Sequence, residues 1–408
     1  MEKSQQDWSR RKFITSVTGA GAVLLLNPLS AWAVDEIDPR VAAIVAKTMG
    51  IDTHNHIDVP LNAAELPGTK LDLTGELKKS GLAAICMTFA VDYQSLSTPG
   101  DAYNRFVTGL DAMDKVLESN NIKRSLNLAD LRAAHKKQKP AVIQSVEGAH
   151  FLEGKLDRLG VAYQRGLRHL GLLHDSDASV PLGDVYTNPA TFGGLTAFGA
   201  EVIKACNKLG ILIDLAHASN GTIDAALKLT TKPVLISHTG LDTQLGQNPA
   251  MASRMRPRLI SKEQAKIVAD AGGVIGVWTH LADTPLEYAQ NIRALVDVIG
   301  IDHVGIGTDT KLTPPYRPAG GGGPRPGGGP GDRPAGPPPA AGQNGPSDNK
   351  NRGRVGERTN EAWADQKVGF YYAVVAAMLK TGFTEEEIGK VGGGNFCRIF
   401  DAATASHQ

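Results

Sequence analysis

The chain has 408 residues, a formal net charge of +1 at pH 7 and 41% apolar residues, enough for one large barrel or for two or three smaller domains. The near-zero charge and the 5% aromatic content supply neither the basic excess nor the stacking platform of a nucleic-acid-binding protein, so we expect no nucleic acid partner. The cysteines Cys86, Cys206 and Cys397 are far apart and odd in number, which excludes a disulfide framework and a CxxC zinc site.

The N-terminal segment has the pattern of an export signal. Arg10 and Arg11 precede an apolar run that ends at the small-x-small pattern Ala31-Trp32-Ala33. Adjacent arginines before such a run resemble a bacterial Tat signal. We therefore predict that residues 1–33 are a signal peptide that engages the Tat translocon, and that the mature protein is periplasmic or secreted. The alternatives are an uncleaved membrane anchor and a cytoplasmic amphipathic helix.

Past residue 45, short apolar runs alternate with longer amphipathic segments, and several of the runs are continuous Val/Ile/Leu stretches typical of strands buried on both faces. The eight predicted strands are 49–54, 83–89, 141–147, 169–174, 211–217, 234–238, 273–279 and 303–309. Helical patterns at 197–209 and 262–271 each stop beside a glycine. Eight strands separated by helices predict an α/β fold, a (β/α)8 TIM barrel. The competing architecture is an open doubly wound sheet, whose dinucleotide-binding version lacks its GxGxxG motif here.

Residues 312–356 interrupt this pattern with a Pro/Gly-rich run that cannot bury enough apolar surface to fold. We predict a disordered insertion there, after the eighth strand and near the rim of any active site. A solvated insert without a catalytic role and a lid or tether both fit its composition. The catalytic barrel is then expected at 34–311, and residues 357–408 are expected to add C-terminal helices, one at 361–379 and another beginning at Thr384.

Polar residues that can bind a metal or move a proton stand at the ends of the predicted strands. They are His54 and His56 on the first strand, Glu147 on the third, His217 on the fifth, His238 on the sixth and Asp309 on the eighth. Strand alternation puts His54 and His56 on the same side, and parallel strands of a barrel all end at one face. These coinciding positions predict a metal site at that face.

The ligand set suggests two divalent ions, with zinc the expected metal. His54 and His56 suit one ion, His217 and His238 suit a second, and the two oxygens of Glu147 could bridge them. Such a pair of ions would share a hydroxide and polarise a substrate carbonyl. Asp309 is then expected to take the proton from the bridging water and pass it to the leaving amine.

The same residues lie in motifs that resemble those of the membrane (renal) dipeptidase family, in the same order and over nearly the whole mature chain apart from the insertion. The motifs are Asp52-Thr53-His54-Asn55, Val146-Glu147-Gly148, Asp214-Leu215-Ala216-His217, Ile236-Ser237-His238, Gly305-Ile306-Gly307-Thr308-Asp309 and Gly393-Gly394-Asn395-Phe396. The resemblance implies a binuclear zinc barrel of the amidohydrolase type that cleaves dipeptides, often with a D-residue second. Some members open β-lactam rings, and many are homodimers.

Residue roles follow from this resemblance. Glu147 corresponds to the bridging carboxylate and Asp309 to the catalytic acid/base. His174, in Gly171-Leu172-Leu173-His174, corresponds to the histidine that contacts the substrate carbonyl and the tetrahedral intermediate. The arginine that pairs with the C-terminal carboxylate of the substrate corresponds to Arg254, although Arg256 and Arg258 stand close by in the sequence.

The first strand departs from the family, which normally reads His-x-Asp where this chain has His54-Asn55-His56. A second alignment would instead pair His56 with Asp58. We favour His54 and His56 because the Asp-Thr-His-Asn motif then aligns without a gap. A histidine in place of the aspartate removes one negative charge and makes the first ion richer in nitrogen ligands.

These observations predict a binuclear zinc metallo-dipeptidase that uses a metal-bridging hydroxide and an aspartate acid/base, with L,D-dipeptides among its candidate substrates. The first alternative is an amidohydrolase acting on another amide, a lactone or a phosphoester. Many such enzymes bridge their metals with a carboxylated lysine, and no predicted strand here ends in lysine. The second alternative is a periplasmic binding protein without turnover, which would have no need of Asp309.

Overall fold

The computed structural model describes residues 37–93, 95–186, 189–316 and 356–405. The predicted signal peptide at 1–33 and residues 317–355 of the predicted insertion lie outside the described residues. Within the described ranges, no helix is both long and apolar enough to cross a membrane. From Asp38 onward, the described residues group into one compact unit.

Eight parallel strands close into a barrel, because β1 pairs with β2 on one side and with β8 on the other. The eight strands are β1 (Ile51–His56), β2 (Ala84–Thr88), β3 (Ala141–Val146), β4 (Leu167–Gly171), β5 (Leu212–Asp214), β6 (Leu235–Thr239), β7 (Val274–Val277) and β8 (Val304–Ile306), and a further short strand is β9 (Thr310–Lys311). The short strand β9 follows β8 in the chain and pairs in parallel with the last residues of β1. Helices surround the closed sheet, which confirms the predicted (β/α)8 barrel.

Helices connect the strands in the order expected for this fold. They are α1 (Pro39–Lys47), α2 (Leu73–Ser80), α3 (Asp101–Asn120), α4 (Leu128–Lys136), α5 (Asp157–Gln164), α6 (Ala197–Leu209), α7 (Asn220–Leu229), α8 (Pro249–Met255), α9 (Lys262–Asp270), α10 (Pro285–Ile299), α11 (Phe370–Lys380), α12 (Glu385–Gly389) and α13 (Asn395–Thr404). The helices α6 and α9 match the predicted segments, and α6 ends at Gly210 in the left-handed region (φ 83°).

The C-terminal helix α13 closes the N-terminal mouth of the barrel. Its buried side chains Phe396, Ile399, Phe400 and Ala403 pack in one cluster with the first residues of six strands. Those strand residues are Ile51, Ala84, Ala141, Leu212, Leu235 and Val274. Each large apolar side chain buried there contributes roughly 1.5–3 kcal/mol. The opposite, C-terminal mouth is therefore the open end.

The predicted helix at 361–379 begins later than expected, at Phe370. The preceding segment is held against α2 by Asn360, whose amide nitrogen donates to Glu76 O (3.1 Å) and whose oxygen accepts from Phe370 N (3.4 Å). A Cβ at Gly369 would overlap the carbonyl oxygen of Lys79, so the chain approaches α2 closely there. Helix α12 begins where predicted, after Thr384, which forms a capping box with Glu387.

Candidate metal centre

Five imidazoles converge on the carboxylate of Glu147 at the C-terminal mouth of the barrel. The Nε2–oxygen distances to Glu147 are 3.3 Å for His54, 3.5 Å for His56, 3.4 Å for His174, 2.9 Å for His217 and 3.7 Å for His238. The Nε2 atoms also lie close to one another, at 3.2 Å between His54 and His56 and at 3.0 Å between His217 and His238. The structure thus brings together all five predicted metal ligands and His174.

The backbone aims these side chains in two ways. His54 and His56 lie two residues apart on β1 and so point to the same side of the sheet. His217 and Asp309 follow the ends of β5 and β8 in the left-handed region, with φ angles of 66° and 55°. Non-glycine residues adopt this conformation at a cost, and such residues cluster at functional sites.

Each converging histidine has a hydrogen-bond partner at its other ring nitrogen. Ser237 Oγ lies 3.2 Å from Nδ1 of His54 and 2.9 Å from Nδ1 of His238. The remaining pairs are His56 with Tyr93 OH (3.0 Å), His174 with Asp92 (2.6 Å) and His217 with Asp175 (3.0 Å). A partner that accepts the Nδ1 proton leaves the Nε2 lone pair facing the cluster, which is the arrangement of metal-ligating histidines.

The donor set fits divalent metal ions. Glu147 Oε2 is buried and accepts no hydrogen bond from any described residue. Three groups of side chains each offer ligand atoms within 4.8 Å of one another: His54, Glu147 and His238; His54, His56 and Asp309; and Glu147, His174 and His217. Imidazole nitrogen with carboxylate oxygen is a ligand chemistry that suits zinc and related metals.

Acids and histidines of the cluster stabilise each other's charged forms. Burial alone would raise the pKa of Glu147, but positive charge on His174 and His54 holds that pKa well below its usual value. Burial likewise opposes the charged form of His54, yet the Glu147 carboxylate raises the pKa of His54 to about 9. A bound cation would therefore compete with protons for these nitrogen and oxygen atoms.

Asp309 lies between the ligand cluster and two further side chains. Its Oδ1 is 3.3 Å from His56 Nε2, and its Oδ2 is 2.9 Å from His280 Nε2 and 3.4 Å from Arg258 Nη2. Burial opposes ionisation of Asp309, but its interactions with the rings of His238, His280 and His56 lower its pKa well below the usual value. An ionised carboxylate at this position can accept a proton.

The arginine beside the cluster is Arg258 and not Arg254, the residue expected to bind substrate. Arg254 is exposed on α8, and within the described residues no hydrogen bond or ion pair joins it to the cluster. Arg258 is 18% exposed, with Nη2 at 3.0 Å from His238 Nε2 and its guanidinium over the ring of Trp278. Helix α8 ends before Arg258, and the following turn directs that side chain toward the barrel mouth.

The alternative first-strand ligand, Asp58, is engaged elsewhere. Its Oδ2 lies 2.7 Å from Lys311 Nζ, in an ion pair outside the cluster. His56 is the residue whose Nε2 faces Glu147 and Asp309. The geometry therefore favours the pairing of His54 with His56.

Sequence reasoning missed five further residues at this mouth, namely Asp92, Tyr93, Asp175, Arg258 and His280. Asp92 and Tyr93 follow the predicted second strand, Asp175 follows the fourth, and His280 follows the seventh. The same strand-end signal could have found these four residues. Arg258 lies far from any strand end, and no local pattern separates it from Arg254 and Arg256.

Comparison with known proteins gives a family and a fold. The model of the membrane dipeptidase family (peptidase family M19) matches residues 39–316. An uncharacterized dipeptidase of Schizosaccharomyces pombe is 28% identical over 230 residues, which span 53% of this chain and about half (53%) of that protein.

Two solved structures show the same fold at low sequence identity. An amidohydrolase from Pseudomonas aeruginosa is 22% identical with a TM-score of 0.65, covering 89% of this chain and 98% of that chain. A metallo peptidase from Rhodobacter sphaeroides, crystallised with a phosphinate mimic of the dipeptide L-Ala-D-Ala, is 17% identical with a TM-score of 0.57, covering 87% of this chain and 99% of that chain.

Proposed function

This chain belongs to the membrane dipeptidase family and is therefore a hydrolase of the metallo-dipeptidase type, and from that premise we propose that its barrel mouth cleaves the peptide bond of dipeptides with two zinc ions. L,D-dipeptides are included among the proposed substrates. The observation that carries the proposal is the convergence of five imidazole Nε2 atoms on Glu147, beside Asp309 and Arg258.

The proposed zinc ligands are His54 and His56 for one ion and His217 and His238 for the other, with Glu147 contributing to both. Two bound ions would supply Lewis-acid chemistry, polarising a carbonyl and making water a stronger acid. The protein fixes the ligands beforehand through the partners of their Nδ1 atoms, so that little reorganisation is needed when metal binds.

Arg258 is proposed to bind the C-terminal carboxylate of the dipeptide. Its guanidinium is cationic and forked, and its Cζ lies 5.8 Å from the ring centroid of Tyr186 and 5.0 Å from that of Trp278. Burial would lower the pKa of Arg258, but the Asp309 carboxylate raises it, so the side chain stays charged. A dipeptide is short enough that anchoring its carboxylate also positions the scissile bond.

Asp309 and His174 are proposed to act on the reacting atoms. Asp309 would take a proton from the attacking water and return it to the leaving amine. His174 would donate from Nε2 to the carbonyl oxygen as negative charge develops there. Its Nδ1 contact with Asp92 suits this role, because a carboxylate partner orients the ring and favours its protonated form.

The experiment is a hydrolysis screen of L,L- and L,D-dipeptides with the purified chain, with bound metal counted in the same samples. We expect turnover that disappears when a chelator removes the metal and returns when zinc is added back. The absence of turnover on every dipeptide, in protein that carries two ions, would refute the proposal.

A second candidate function is hydrolysis of another amide, a lactone or a phosphoester at the same site. The observation that favours it is His56, which replaces the aspartate usual at this position and changes the charge at the reacting centre. N-acyl amino acids, cyclic amides and lactones therefore belong in the same screen. Turnover of one of these compounds without any dipeptide turnover would select the second candidate.

A further inference from the structure

Tyr93 stands at the rim of the metal centre with its hydroxyl on a ligand. Tyr93 OH is 3.0 Å from His56 Nδ1, and its ring lies edge-on to His174 at 5.7 Å between centroids. Tyr93 is 41% exposed, so it contributes little to the core. The hydroxyl group of Tyr93, and not the burial of its ring, is therefore the feature that indicates a functional role.

On the basis of the proposed function, we propose that Tyr93 is the positioning residue of His56. Its phenol oxygen accepts the Nδ1 proton of His56, which fixes the ring with its Nε2 lone pair toward Glu147 and Asp309. If the phenol instead donated its proton to Nδ1, a neutral His56 would carry its own proton on Nε2. It could then not bind a metal through that atom.

The other ligand histidines have partners that do not depend on Tyr93. Ser237 serves both His54 and His238, and Asp175 serves His217. Among the described residues, Tyr93 OH is the hydrogen-bond partner of His56 Nδ1. On its Nδ1 side, the ring of His56 is therefore held by one hydroxyl group, at a residue that is 41% exposed.

The need for Tyr93 follows from the identity of residue 56. A carboxylate at this position would bind a metal through oxygen and would have no ring nitrogen to be held. The hydroxyl of Tyr93 should consequently matter when residue 56 is histidine and lose its importance when residue 56 is aspartate. This dependence separates a positioning role from general packing at the rim.

The test is a double-mutant cycle on zinc affinity, measured by chelator competition with the full chain. Tyr93→Phe should weaken one zinc-binding step by roughly 10- to 100-fold, as expected when a ligand histidine loses its partner. The same substitution in the His56→Asp background should cause no further loss. Tyr103→Phe is the matched control, since Tyr103 lies on α3 and packs under Arg158, and its zinc affinity should equal that of the wild type.

Two results would overturn the proposal: an unchanged zinc affinity in Tyr93→Phe, or an equal loss in both backgrounds. If His56→Asp fails to fold, the NMR spectrum of the histidine ring nitrogens in zinc-loaded protein tests the role of Tyr93 instead. The Nδ1–H signal of His56 should be protected from exchange in the wild type and should shift or vanish in Tyr93→Phe, and an unchanged signal refutes the assignment. Neither measurement uses turnover, so a failure of dipeptide hydrolysis remains a separate result.

Discussion

At the scale of single residues, the positions of Arg254 and Arg258 decide which arginine reaches the candidate site. Both follow the sixth strand and stand four residues apart, yet one is exposed on α8 and the other lies 3.4 Å from Asp309. We predict that Arg258→Ala lowers kcat/KM for dipeptides by roughly 10- to 100-fold, because a charge-assisted hydrogen bond contributes about 1.5–3 kcal/mol. Steady-state kinetics on a substrate with a free carboxylate measures this.

Arg254→Ala is the control for that experiment and should leave kcat/KM unchanged. Amidating the substrate carboxylate should reproduce the loss in the wild type and cause little further loss in Arg258→Ala. Full activity of Arg258→Ala, or a comparable loss in Arg254→Ala, would contradict the assignment of Arg258.

The two acids of the centre should respond differently to neutralisation. Asp309→Asn should retain both metals and lose about 10²- to 10⁴-fold in kcat, the contribution typical of general acid–base catalysis. Metal content and single-turnover rates measure the two effects separately. A fully active Asp309→Asn enzyme would show that another group moves the proton.

Glu147→Gln should lose metal, because an amide offers one oxygen where the carboxylate offers two and carries no charge. Metal analysis after gel filtration measures this, and the shape of the side chain is conserved in the substitution. Retention of two ions by Glu147→Gln would contradict the bridging role.

At the scale of elements, β1, β6 and β8 are joined by buried polar contacts beneath the metal centre. Asp52 accepts from Thr308 N (2.9 Å) and from Thr308 Oγ1 (2.7 Å), while Thr53 Oγ1 donates to Ser237 O (2.7 Å) and Ile306 O (2.9 Å). These contacts fix the register of the strands that carry His54, His238 and Asp309. Mispositioning any one of the three strands would move a ligand.

Gly307→Ala tests this packing. A Cβ at Gly307 would overlap the carbonyl oxygen of Ser237, whose hydroxyl serves two ligand histidines. We expect a loss of roughly 1–3 kcal/mol or more in the free energy of unfolding, together with weaker metal binding. Denaturant unfolding and chelator competition measure the two effects.

Gly160→Ala is the matched control, since a Cβ at that position on α5 meets no atom within 4 Å. It should be neutral or slightly stabilising, because alanine favours helix over glycine by about 1 kcal/mol. Equal stability of Gly307→Ala and the wild type would show that β6 and β8 can move apart without a loss in the free energy of unfolding.

Elements were predictable from sequence where the hydrophobic pattern and a breaker residue agreed. Helix α6 has an amphipathic repeat and a terminal glycine, and its bounds were predicted correctly. Helix α11 begins nine residues after the predicted start because Asn360 and Gly369 make tertiary contacts with α2. Such contacts lie outside any local pattern, as does the turn that separates Arg258 from Arg254.

At the scale of the whole molecule, the barrel gathers proposed metal ligands that are up to 184 residues apart in sequence, from His54 to His238. The strand-end positions of these residues were predictable from the sequence because the parallel strands of a barrel all end at the same mouth. Helix α13 closes the other mouth. The partners at Nδ1 were not predicted, because they come from loops whose path depends on packing.

Metal should stabilise the whole fold, because the proposed ligands stand on or just after four strands of the barrel, namely β1, β3, β5 and β6. An ion present at 100 times its Kd adds about 2.7 kcal/mol to the free energy of unfolding if only the folded state binds it. We expect a higher melting temperature with zinc than with chelator, and a smaller difference for Glu147→Gln. Identical melting temperatures of the wild type with and without zinc would contradict this.

The most direct test of the central claim is to titrate zinc into metal-free protein while following both bound metal and hydrolysis of an L,L- and an L,D-dipeptide. We predict that dipeptide turnover appears as the centre fills and reaches its plateau at two ions per chain. Saturation at two ions with no turnover of either dipeptide, or turnover that persists without metal, would contradict the claim.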